Sequence, residues 1–225
     1  MKFIPHYSFL SLTFLLLLFF IGCTKAPRIN ISKYNNCEIL ETECIRDKIK
    51  VEMITNRGKV LLELNGHDAP LTSTNFMLLM DRELYSGTFF DRSIRKPFPF
   101  IIQGGNRDLN YNVNSSSESY FDNKDSLIQP IPLEIKLYGE EFPRYNQLIT
   151  RSDDINRIIL THEKGSIGMA RMQSLDSARL KFYITLKDSP ELDGRYTVFG
   201  KVVKGMDIIE SINEGDVILK LRIIK

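Results

Sequence analysis

Residues 89–106 read FFDRSIRKPFPFIIQGGN, with Arg92, Arg95 and Lys96 set among aromatic residues and prolines and Asp91 as the one carboxylate. A guanidinium stays charged at physiological pH and presents its N–H groups in a rigid plane. Beside an apolar surface, such a group suits a ligand that is part hydrocarbon and part carbonyl. Other chemistries find less support. The three histidines, His6, His67 and His162, are far apart in sequence, which argues against a multi-histidine metal site. The formal net charge is only +2, without the basic excess that nucleic-acid binding would call for.

The elements that must hold this stretch are short. KIKVEMITNRGKVLLEL, from Lys48, alternates apolar and polar residues on both sides of TNRG, which predicts a β-hairpin. DAPLTSTNFMLLMDREL, from Asp68, predicts a helix capped by Asp68, with Pro70 in its first turn and Phe76, Leu79 and Met80 on one face. Further strands are expected at 88–90, 100–103, 131–137, 165–170, 182–186 and 197–203. GMDIIESI makes a second helix, and VILKLRIIK closes the chain as a strand. Many short strands with two helices predict a mostly β barrel or sandwich in one domain. Residues 110–160 interrupt this pattern and read as a surface insertion without recognisable chemistry.

The first 22 residues stand apart. Lys2 precedes the apolar run FLSLTFLLLLFFIG, residues 9–22, which is shorter than the roughly 20 residues of a membrane span and reads as a signal peptide. The sequence FFIGC resembles the lipobox of bacterial lipoproteins, which implies cleavage before Cys23 and a diacylated N-terminus. Neither Thr24 nor Lys25 is acidic, which by the same resemblance favours the outer membrane, facing the periplasm. Residues 23–47 read as a lipid-anchored tether. With Cys23 taken by lipid, Cys37 and Cys44 remain as a candidate disulfide in an oxidising compartment. On a straight helix they would lie about 10 Å apart, so a bond requires the segment to bend.

Six motifs occur in order: APLTSTNF (69–76), YSGTFFDR (85–92), FIIQGG (100–105), GSIGMAR (165–171), DSARLKFYI (176–184) and LDGRYTVFGKVVKGMDII (192–209). Together they resemble the cyclophilin-type peptidyl-prolyl cis-trans isomerases over residues 48–225. The resemblance implies a closed eight-stranded antiparallel β-barrel capped by two helices, with the active groove on its outer face. It implies Arg92 as the catalytic residue, with Phe100, Ile101, Gln103, Ala170, Arg171, Lys181, Tyr183, Leu192 and Tyr196 binding substrate. It also implies rotation about X–Pro bonds of unfolded or extended polypeptides, without metal or cofactor, by a monomer that assists folding in the cell envelope. Three departures stand out. The RKPFP stretch lengthens the interval between Arg92 and Gln103 and lets Arg95 contest the role of Arg92. Lys181 replaces a glutamine that binds substrate backbone, so acidic residues beside the proline are expected to be favoured. Glu191 stands where the best-known eukaryotic relatives have tryptophan. A peptide-binding module or holdase of low catalytic speed is the alternative reading.

Overall fold

The computed structural model describes Tyr34, residues 37–106 and residues 128–224. The expected signal peptide at 1–22 and the expected lipidation site Cys23 lie outside the described residues, as does most of the polar first half of the insertion.

Strands β1 (Lys48–Thr55) and β2 (Gly58–Asn65) pair without a slip from Lys48↔Asn65 to Thr55↔Gly58. Their alternating burial follows from the pleat, which sends successive side chains to opposite faces. The chain then adds β3 (Thr88–Ile94), β4 (Ile101–Asn106), β7 (Ser166–Met169), β8 (Phe182–Thr185), β9 (Val198–Lys204) and β10 (Val217–Ile223). These eight strands close in the order β1-β10-β3-β4-β8-β7-β9-β2. Every neighbouring pair is antiparallel. Helix α1 (Pro70–Asp81) packs over β2, β9 and β10. From it Phe76 meets Tyr85, Phe182 and Phe199, with ring centroids 4.7, 5.5 and 5.2 Å away. Helix α3 (Met206–Ser211) lies against β2, while α2 (Ser152–Ile155) is a single turn in the insertion.

Two expectations need correction. Residues 131–137 do not form a barrel strand: only β5 (Glu134–Ile135) pairs, with β6 (Arg144–Tyr145), in a separate two-stranded sheet. Pro130 and Pro132 flank Ile131, and neither has an N–H for a ladder.

Asp68 is not the helix cap. Residue 69 holds the cap position without a side-chain bond, and the Asp68 carboxylate instead accepts from Asn65 Nδ2 at 3.0 Å and lies 3.5 Å from Lys136 Nζ. The N-terminus of α1 is served from the insertion: Glu134 accepts the N–H groups of Leu71 and Thr72 at 3.0 and 2.8 Å.

The second half of the insertion is therefore no loose excursion. It has its own apolar cluster of Leu133, Ile135, Leu137 and Ile149, joined by Ile155, Ile158 and Leu175.

Nor is the described part of the expected tether free-running. Cys37 and Cys44 are bridged across a 5.2 Å Cα–Cα span. The bend comes from Cys37 and Glu41, both in left-handed backbone, on either side of a short 3-10 turn, Glu38–Leu40. Cys37 is fully buried in the main core, and Ile45 N–H donates to Thr74 Oγ1 of α1 at 2.9 Å.

Candidate active site

Strands β3, β4, β8 and β7 lie side by side, and their outward residues form the candidate groove. Along β4 the inward Ile102 joins the core cluster while Ile101 and Gln103 point the other way. On β8 the inward Phe182 and Ile184 alternate with Tyr183 and Thr185. Pairing sets Arg92 opposite Gln103, Gln103 opposite Tyr183, and Tyr183 opposite Gly168. Two irregularities in the β3–β4 ladder shape this row. Gly105, with φ +90°, supplies a conformation that other residues enter at a cost, and Asp91 is the extra residue of the second bulge.

Motif residues outside the groove keep β8 in place. Asn75 Nδ2 donates to the Arg179 carbonyl at 3.0 Å, and Tyr85 Oη to the Leu180 carbonyl at 2.9 Å. Ala170 N–H donates to the Lys181 carbonyl at 3.0 Å, binding the end of β7 to the start of β8.

Arg92 is exposed, and among the described residues its side chain makes no hydrogen bond or ion pair. Arg95 is committed elsewhere: its Nε donates to Ser93 Oγ at 3.0 Å and its Nη2 to the Ile212 carbonyl at 2.6 Å. The lengthened RKPFP stretch is confined to the hairpin loop, since Ile94 and Ile101 still pair beyond it. Phe100 is half-buried at the base of this hairpin, its N–H bound to Ile94 and its carbonyl to Leu186 N–H.

The apolar wall rests on a buried polar chain. Tyr183 is 3% exposed, and its ring lies where a side chain on residue 168 would be, within 2.6 Å of a Cβ built there. Its hydroxyl is 2.7 Å from His162 Nε2, while His162 Nδ1 is 2.6 Å from Asp193 Oδ1. A carboxylate only accepts, so Nδ1 carries a proton, and in the neutral ring Nε2 then accepts from the tyrosine. Burial, with Tyr196 and Asp193 close by, pushes the Tyr183 phenol well above its ordinary pKa, which keeps it a donor. Tyr196 meets Tyr183 edge-on at 6.0 Å, and the Arg171 guanidinium lies 4.8 Å above the Tyr196 ring. Arg171 is also tied to the Arg195 carbonyl at 2.8 and 3.1 Å, so it braces two loops.

Strand pairing and ring contacts thus link Arg92, Gln103, Tyr183, Tyr196 and Arg171, while Ala170 is bound to Lys181 and Lys181 to Asp91. Leu192, half-buried in the turn Pro190–Leu192, reaches it through its neighbour Asp193. Lys181 departs from expectation: its ammonium is 2.7 Å from Asp91 Oδ2, so its charge is countered and not presented bare to a peptide. Asp91, His162 and Asp193 had no site role in the sequence reading. Asp91 was the most findable, since it sits inside the FFDR motif beside Arg92.

Comparison with known proteins agrees with this fold. Residues 50–224 match the family model described as cyclophilin type peptidyl-prolyl cis-trans isomerase/CLD. A peptidyl-prolyl cis-trans isomerase of Acinetobacter baylyi is 30% identical over 167 residues, covering 72% of this chain and 70% of the relative. Two other curated relatives are longer, and the chain spans 48% and 45% of their lengths, about half; the second is a chloroplastic protein of Arabidopsis thaliana. Cyclophilin AquaCyp293 from Hirschia baltica superposes with a TM-score of 0.55 at 20% identity, over 78% of this chain and 75% of that one. A Cryptosporidium parvum cyclophilin crystallised in the presence of the dipeptide Ala-Pro gives 0.51 at 23% identity, over 78% and 99%. The chain belongs to the cyclophilin-type peptidyl-prolyl cis-trans isomerases, enzymes that rotate X–Pro peptide bonds.

Proposed function

We propose that rotation takes place on the outer face of β3, β4 and β8, with Arg92 as the catalytic residue. The substrate proline ring packs against Phe100, Ile101, Tyr183 and Leu192, and Gln103, Ala170, Arg171, Lys181 and Tyr196 line the peptide path. Turning an X–Pro bond breaks conjugation between nitrogen and carbonyl, against a barrier of about 18–20 kcal/mol. No nucleophile is needed for this. A donor aimed at the twisted amide binds it better than either planar form, and only that difference speeds the step. An acceleration of five decades corresponds to about 7 kcal/mol.

The observation that carries the assignment is the contrast between the two arginines. Arg92 is exposed opposite Gln103 with its donors uncommitted among the described residues, whereas Arg95 is bound to Ser93 and Ile212. Arg92→Ala should lower kcat/KM on an Ala-Pro peptide by about one to three decades, or 1.4–4 kcal/mol, with peptide binding and thermal stability little changed. Arg92→Lys should rescue poorly, for lack of the planar fork. Loss of activity in Arg95→Ala but not in Arg92→Ala would reverse the assignment.

The clients we propose are proline-containing extended polypeptides of the cell envelope. The support is the apolar run at 9–22, the FFIGC sequence that would leave Cys23 lipidated, and the Cys37–Cys44 bridge, which fits an oxidising compartment. The Ala-Pro dipeptide with the Cryptosporidium protein supports the ligand class.

A further inference from the structure

We infer that Asp91 is a positioning and specificity residue for the polar side of the groove, an inference that rests on the substrate lying beside Arg92. The β3 bulge carries the register from Phe90↔Gly104 to Arg92↔Gln103, so Asp91 and Arg92 together face one residue of β4. The Asp91 carboxylate is only 11% exposed. Its Oδ2 is 2.7 Å from Lys181 Nζ, and its Oδ1 accepts a longer bond from Gln103 Nε2 at 3.4 Å.

This arrangement does two things. Because a carboxylate only accepts, it fixes which end of the Gln103 amide it faces. The NH2 group turns to Asp91 and the carbonyl oxygen turns away, as an acceptor for a substrate N–H or for the Arg92 guanidinium. The same carboxylate offsets the charge of Lys181. A lysine placed bare on the groove wall would draw acidic peptides; a lysine held in a short ion pair leaves the wall nearly neutral. Asp91 therefore lets the groove accept X–Pro segments with little regard to the charge of their neighbours, which suits an enzyme acting on many unfolded sequences.

The test compares kcat/KM for matched peptides carrying glutamate or lysine beside the X–Pro bond, at low salt. The wild type should discriminate little. Asp91→Asn keeps the shape and removes one negative charge beside Lys181, so the glutamate-to-lysine preference should rise about three- to tenfold, the scale of one unit charge at close range in partly screened surroundings. Lys181→Gln leaves Asp91 uncompensated and should move the preference by a similar factor in the opposite direction. Both shifts should fade near 1 M salt, where the screening length falls to about 3 Å. Opposite shifts are not what general loosening of the fold would produce. If either variant, folded by circular dichroism, keeps the wild-type ratio, the inference fails. If Arg92→Ala retains full activity, the placement of the groove fails first.

Discussion

Tyr183 carries a hydroxyl with a job that a phenylalanine in its place could not do. It donates to His162, which is itself fixed by Asp193, all within a few ångströms of the apolar wall. Tyr183→Phe keeps the ring and strands a buried acceptor. The expected cost is about 1–3 kcal/mol, seen as a fall in Tm of about 2–4 °C per kcal/mol for a chain of this size. KM for proline peptides should hardly move, because the wall itself survives. An unchanged Tm would mean that the Asp193–His162–Tyr183 chain contributes nothing to the fold. The aromatic type at this position was legible in the sequence, since DSARLKFYI fixes its place. The histidine partner was not, because it lies 21 positions from Tyr183 in sequence and only the pairing of β7 with β8 brings the two together.

At the scale of elements, α1 is the part that depends on a distant segment. Its first turn lacks a side chain of its own to satisfy the free N–H groups that every helix start presents, and Glu134 supplies the missing acceptor. Burial pushes the Glu134 carboxyl above its usual 4.5, outweighing the bonds from Thr72, Leu71 and Tyr145 that favour the charged form. An acid whose pKa is raised on folding adds stability below its unfolded value. That contribution is lost as pH climbs through the folded value. Glu134→Gln cannot ionise and should remove this loss. It should also cost about 1–3 kcal/mol at every pH, since an amide NH2 then faces one of the helix N–H groups. In urea unfolding from pH 4.5 upward, the advantage of wild type over variant should therefore shrink. An advantage that grows with pH would mean the carboxylate is held charged. None of this was readable from DAPLTSTNF, whose Asp68 looked like a sufficient cap. The capping residue arrives from a stretch whose prolines disguise its pairing.

For the molecule as a whole, alternation and turn chemistry were enough to foresee strands and a β class. The closed eight-stranded count came from motif resemblance, because periodicity does not separate a barrel from a sandwich. What escaped was the packing of 37–47 and 128–160 onto the barrel, where contacts are distant in sequence and the local pattern is weak. The proposed anchor lies ahead of these segments in sequence, at Cys23. Metabolic palmitate labelling should mark the wild type, and Cys23→Ser should abolish the label and release or retain an unprocessed protein. An unlabelled wild type cleaved at another bond would exclude the anchor. Two acyl chains, which the lipobox resemblance implies, give stable attachment where one does not.

Closure of the barrel has a consequence for the company this protein keeps. Unfolded chains add themselves to any sheet that ends in unpaired N–H and C=O groups, and such edges template aggregation. Here each of the eight strands has a partner on both sides. The small sheet of β5 and β6 is only two residues long in each strand, too short to seed growth. A client on the proposed groove would meet side chains and a guanidinium before the edge of any sheet. If it is turned there as proposed, it finds no barrel strand lacking a neighbour to join as a ninth.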